Sequence, residues 1–129
     1  MVNTLLVMIG GAAGAGLRYQ LSRWCGALPA AAHWPVATFV VNITGGLAMG
    51  LLVGLLTRGD AGGEPWRLLL GVGLLGGFTT FSAFSLELVT MLQSGRLAAS
   101  ALYAGASVIG AVAALALGLT LGLGLARAA

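Results

Sequence analysis

The sequence predicts an all-α integral membrane protein with four transmembrane helices, the third of them broken near Gly76–Thr80. Three observations predict this. The first is composition. The 129 residues are 59% hydrophobic and 7% charged, with a mean hydropathy of +1.03. Soluble domains carry about 25% charged residues, so a water-borne fold is excluded. The second is segmentation: the apolar sequence divides into four stretches, each long enough for the about 20 residues that a bilayer core demands. The third is Gly76-Gly77-Phe78-Thr79-Thr80-Phe81-Ser82-Ala83-Phe84-Ser85, which places two glycines, four hydroxyls and three phenylalanines inside the third stretch. Each of those glycines weakens a helix by about 1 kcal/mol relative to alanine. Irregular backbone at membrane depth persists only where protein buries it or where it lines a water-filled cavity. A break of this kind also frees carbonyls and amides, from which membrane proteins build ion sites.

The first span runs over about 2–25 and ends before Pro29 and an Ala-rich turn. The second covers about 35–57, with Pro35 at its start, where a missing amide costs nothing. Arg58-Gly59-Asp60-Ala61-Gly62-Gly63-Glu64-Pro65 is the clearest loop. The third span covers about 66–92, Gln93-Ser94-Gly95-Arg96 is a short turn, and the fourth span covers about 97–125. Four spans with short connections make a single domain over 1–129. Small residues recur at helical spacing: Gly10 with Gly14, Gly46 with Gly50 and Gly54, and Gly118 with Gly122. Such patterns let helix backbones approach closely in lipid. Four helices alone are a thin bundle for a broken helix and an ion path, so a homo-oligomer is expected to supply further walls.

Charge is most informative through its balance. The six cationic residues are all arginines, and three acids leave a formal net charge of +3. They are scattered and form no basic patch, so a nucleic-acid partner is not expected. Arg58, Arg67 and Arg127 lie on the side of the termini and middle loop; Arg18, Arg23 and Arg96 lie on the other. With three against three, the positive-inside rule has nothing to decide with. The expectation is dual topology, with two opposed copies pairing as an antiparallel homodimer about an axis in the membrane plane. Cys25 is the one cysteine, so no disulfide forms within the chain. His33 has no second histidine with which to hold a metal. Trp24, Trp34 and Trp66 fall near span ends, where an aromatic belt is expected.

The residues that carry chemistry are few. Asn42 lies in mid-span with Thr38 one turn before it. An amide there must bond across helices or face water, so it serves either as an anion donor, as Thr38 can through its hydroxyl, or as interhelical glue. Phe81 and Phe84 share a helix face, and Ser82 and Ser85 share a neighbouring one. Aromatic rings have a positive edge, which approaches an anion without a charge that would trap it. Gly76 and Thr79, three apart at the break, offer two carbonyls to one small cation. A two-fold partner would double these to four oxygens, and with no carboxylate in the stretch a monovalent ion is the natural guest. Glu87, the one acid inside a span, either faces a vestibule or pairs with an arginine.

The third-span pattern Gly-Gly-x-Thr-Thr-Phe-Ser-x-Phe-Ser with Glu87 behind it, Asn42 before Gly45-Gly46, and Gly10-Gly11-x-x-Gly14-x-x-x-Arg18-Tyr19 resemble the Fluc (CrcB) family of fluoride channels. The resemblance spans essentially the whole chain. It implies an antiparallel, dual-topology homodimer with two fluoride pores, each built from both subunits, and a structural sodium ion at the dimer centre held by the carbonyls of Gly76 and Thr79. It also implies that Phe81 and Phe84 line the pore, Asn42 is the pore amide, and Thr80, Ser82 and Ser85 form a polar lining, which Tyr103 and Ser107 would extend. Arg18 matches the arginine of the first-span motif. Gly45-Gly46 stands where a Gly-Ser-like pair is common, and Phe78 fills a variable position. The activity implied is passive export of fluoride across the cell (inner) membrane by a protein that is not an enzyme. A small dual-topology multidrug antiporter shares the length and charge balance, but it needs a carboxylate in the first span, and none is there. An accessory subunit without transport would not need the Phe–Thr–Ser cassette.

Overall fold

A computed structural model describes residues 1–32, 34–57 and 63–128. His33 and positions 58–62, including Arg58 and Asp60, lie outside the described residues, as do the expectations placed on them. All regular structure among the described residues is helical. Helix α1 is Val2–Gly26, and a 3₁₀ turn Pro29–Ala32 leads to α2, Val36–Leu56. Helix α3 occupies 63–78, α4 is Phe81–Gln93, and α5 is Leu97–Ala128. Within α3, Arg67–Leu75 winds as a wider π-helix before Gly76–Phe78 returns to α. Such π turns are frequent beside functional sites. The turn from α4 to α5 needs a left-handed residue, and Gly95 supplies it with φ of 76°.

Among the described residues, three segments are long and apolar enough to cross a membrane: Val36–Leu56, Gly63–Gln93 across its break, and Leu97–Ala128. The chain is a multi-pass helical membrane protein. Helix α1 has 25 residues, but Asn3, Arg18 and Gln20 dilute its apolarity.

Glycine decides which helices pair. Helix α1 packs along α3, and α2 along α5. A methyl group added at Gly10 would strike the Leu69 carbonyl, and one at Gly77 would strike the Gly11 carbonyl. On the other pair, Gly50 lies against the Leu115 carbonyl and Gly118 against the Leu47 carbonyl, while Gly54 and Gly122 face each other. With no driving force from water inside a bilayer, such close backbone approach is what holds helices together. The stripes read from the sequence are the ones used, and Gly73 with Gly77 adds a fourth.

The single chain has little interior. Val41, Leu75, Phe84, Met91 and Tyr103 are buried, whereas Ile9, Val53, Leu86, Ile109 and Leu117 stand exposed. An apolar surface of this extent requires lipid or protein around it.

Candidate functional site

The third span breaks at two residues. Gly76–Phe78 is helical, Thr79 (φ −76°, ψ 157°) and Thr80 (φ −150°, ψ 121°) are extended, and α4 starts at Phe81. The break therefore falls at the C-terminal edge of the expected stretch. Gly76 itself keeps helical angles, and it is Gly77, against the Gly11 backbone, that serves close packing.

A broken helix leaves orphan amides and carbonyls at both new ends. Neighbouring side chains meet several of them. Asn42 of α2 accepts from the Thr80 backbone N–H through Oδ1 (2.9 Å) and donates from Nδ2 to the Thr80 carbonyl (3.0 Å). Because one atom must accept and the other donate, this pair of bonds also fixes the orientation of the amide. The Thr80 hydroxyl accepts from the Ala83 N–H (3.2 Å), a side-chain cap on α4. Arg18 of α1 donates from Nε to the Gly77 carbonyl (3.2 Å), a cation at the C-terminal end of α3, where the helix dipole favours it. The Thr79 N–H and hydroxyl both donate to the Leu75 carbonyl, at 3.0 and 2.9 Å.

Beside the break lies a groove of about 390 Å³ between α2, α4 and α5. Asn42, Thr79, Thr80, Phe81, Phe84 and Ser107 supply its chemistry, and Met49, Val108, Ala111, Val112 and Leu115 its apolar wall. The Phe81 and Phe84 ring centroids are 5.5 Å apart. Phe81 is 76% exposed and Phe84 only 7%, so one ring stands at the open side and the other at the floor. The buried Ser107 hydroxyl makes no hydrogen bond of ordinary length among the described residues, although it lies near enough to the Tyr103 hydroxyl to act on it. Tyr103, one turn before it on α5, donates to Glu87 instead.

A second polar cluster lies behind Phe84. The Glu87 carboxylate accepts from the Thr38 hydroxyl (2.6 Å) on α2 and from the Tyr103 hydroxyl (2.7 Å) on α5. These two bonds tie α4 to both neighbouring helices, and the half-buried carboxylate meets hydroxyls of Thr38 and Tyr103. Trp34 stands edge-on to Tyr103 at 5.4 Å, and Phe84 touches the same ring at 5.3 Å. Thr38 thus belongs to this second cluster, one turn of α2 before Asn42.

Two expected residues do not line the groove. Ser85 donates back to the Phe81 carbonyl (2.9 Å). Ser82 is exposed, with its hydroxyl 3.3 Å from that of Thr80. The apolar wall on α5 is a feature that the sequence does not mark. Val108, Ala111, Val112 and Leu115 recur at three- and four-residue spacing, but in a uniformly apolar helix that spacing singles out no particular face.

A helix interrupted in its span, its loose backbone held by an amide from the next helix and bordered by two phenylalanines and an unpartnered hydroxyl, defines a membrane protein of the channel and transporter class. The family profile described as "CrcB-like protein, Camphor Resistance (CrcB)" matches residues 5–119. The chain belongs to this family. The protein named "Fluoride-specific ion channel FluC" of Novosphingobium aromaticivorans is 49% identical over 127 residues, which cover 98% of this chain and 100% of that one. The protein of the same name in Phenylobacterium zucineum is 54% identical over 126 residues, 94% of this chain and 95% of its own. That of Erythrobacter litoralis is 51% identical over 123 residues, 92% of this chain and 90% of its own.

Proposed function

We propose that this protein is a fluoride-specific channel through which fluoride leaves the cell down its gradient, and that it works in the inner membrane. Full-length relatives bearing that name support the substrate, and they are channels, not enzymes. The observation in this chain that carries the proposal is the buried Ser107 hydroxyl, unpartnered in a groove that also holds Asn42 and two phenylalanines. A buried hydroxyl without a partner costs about 1–3 kcal/mol, so it is kept where something passing through accepts from it. A small, strongly hydrated anion must exchange water for donors. Here they are Ser107, the second Nδ2 hydrogen of Asn42 and the ring edges of Phe81 and Phe84. None carries a full charge, so the anion is admitted without being trapped.

The single-chain groove is open along the Phe81 side, and its surroundings are apolar. This supports a pore completed by a second copy, with the antiparallel pairing that the balanced arginines suggest. Helix α1 would be the fourth span, making residues 1–129 one membrane domain. Thr80 belongs to the groove, whereas Ser82 and Ser85 would serve only on a face shared with the partner. Glu87, Thr38 and Tyr103 would hold α4 at the angle that aims Phe84.

A structural sodium ion at the centre fits the residues present. Gly76 is exposed, without a side chain, in the last turn of α3, and Thr79 stands at the break next to it. One chain offers two carbonyls, and an opposed copy would complete four. When bound, the ion would neutralise oxygens that have no water at this depth, and Gly76 and Thr79 would hold it through backbone atoms alone. The antiporter alternative is disfavoured because α1 holds no carboxylate.

The test is fluoride efflux from liposomes containing the purified protein, with chloride as control. Rapid fluoride-selective efflux is expected. Equal leakage of both anions, or none of either, would refute the assignment.

A further inference from the structure

Among the described residues no backbone N–H outside the regular helices reaches the Gly76 or Thr79 carbonyl, for a reason that lies in two other side chains. In an uninterrupted α-helix each carbonyl accepts from the N–H four residues on. For Gly76 that donor is Thr80, and for Thr79 it is Ala83. Both donors are diverted. The Thr80 N–H goes to Asn42 Oδ1 at 2.9 Å, and the Ala83 N–H goes to the Thr80 hydroxyl at 3.2 Å. The adjacent Gly77 carbonyl is treated in the opposite way, since Arg18 occupies it.

We propose that Asn42 and Thr80 are positioning residues for the cation site: by accepting the two amides that would close the helix, they hold the Gly76 and Thr79 carbonyls open to a monovalent cation. Asn42 then has two separable tasks. Its Oδ1 keeps the cation ligand free, while its Nδ2 faces the groove and serves the anion. The inference rests on the cation reading above and assigns roles that it does not contain. Removing the acceptor at position 42 leaves the Thr80 N–H unpaired, and a continued helix would pair it with the Gly76 carbonyl. That hydrogen bond competes with the cation.

The substitutions separate the tasks. Asn42→Asp keeps an acceptor for the Thr80 N–H and loses the amide donor. Asn42→Ala loses both. Thr80→Val removes the hydroxyl that caps Ala83, and Thr80→Ser retains it. The measurement is thermal unfolding of the purified protein against sodium concentration, with N-methylglucamine as the balancing cation. In the unsubstituted protein the unfolding temperature should rise with sodium. In Asn42→Ala and Thr80→Val the half-stabilising concentration should rise roughly tenfold, the equivalent of one ordinary hydrogen bond. In Asn42→Asp and Thr80→Ser it should not rise.

The failures are distinguishable. If the unsubstituted protein is indifferent to sodium after exhaustive exchange, the cation reading fails. If it responds but Asn42→Ala and Thr80→Val respond identically to it, the cation reading stands and the positioning roles are refuted. A loss in Asn42→Asp equal to that in Asn42→Ala would refute the role of the acceptor atom. Should Asn42→Ala not fold, Thr80→Val against Thr80→Ser carries the same decision.

Discussion

Ser107 carries opposite expectations for stability and for transport. A hydroxyl buried without a partner destabilises the fold, so Ser107→Ala should leave stability unchanged or raise it by roughly 1 kcal/mol. The same change removes a donor from the groove, and fluoride flux should fall. Thermal unfolding and liposome efflux on one preparation check both, and flux at the original level would remove Ser107 from the path. The two phenylalanines differ in a similar way. Phe81 is 76% exposed, so Phe81→Ile should reduce flux with little change in unfolding temperature. Phe84 is buried against Tyr103, so Phe84→Ile should lower both, with about 1–3 kcal/mol of lost packing. Flux unaltered in both variants would mean that ring edges are not what the anion meets. Asn42 is legible in the sequence as an amide too costly to leave alone at mid-membrane. Its partner is not, because the Thr80 backbone lies 38 residues away and becomes available only once the helix is broken. Glu87 is obscure for the same reason: its two hydroxyl partners come from different helices.

At the scale of helices, the composition of 76–85 announces an interruption but not its residue. Two adjacent glycines are the natural place to expect it, yet Gly77 lies so close to the Gly11 backbone that it is used for packing and stays helical. The chain departs from helix at Thr79 and Thr80, where Asn42 and the Thr80 hydroxyl satisfy the amides released. The helix-pairing glycines are easier to read, since contact between backbones leaves a repeat every four residues. They also yield a graded test. Gly50→Val should separate α2 from α5 and cost at least the about 1–3 kcal/mol of an overpacked site, because the added carbon would meet the rigid Leu115 carbonyl. Gly16→Ala should be neutral or slightly stabilising, because nothing lies within 4 Å of the added methyl and alanine favours helix. Equal effects of the two on unfolding temperature would mean that the α2–α5 contact does not hold the bundle.

For the whole molecule, the consequence of balanced charge is architectural. On the four-span reading proposed above, the six arginines divide three and three and would give the insertion machinery no net instruction. One chain buries few large side chains, has a groove open on one side, and presents two of the carbonyls a cation cage would need. An opposed copy would answer all three deficits at once, because a two-fold axis in the membrane plane that passes through the break brings that break to itself. A parallel pair related by an axis normal to the membrane would also meet itself at one depth, but it demands a common orientation that the charges do not impose. Adding two or three lysines around Gly59 should therefore fix that loop on the cytoplasmic side and abolish fluoride efflux, since only one orientation would remain. Adding the same number around Ser94 should bias the chain the other way and be equally inactive alone. Expressed together, the two should restore efflux. The measurement is fluoride efflux from membranes carrying each variant singly and as a pair, with protein levels matched. Full activity from either variant alone would exclude the antiparallel arrangement, whereas silence from each with recovery in the pair would require both orientations in one working channel.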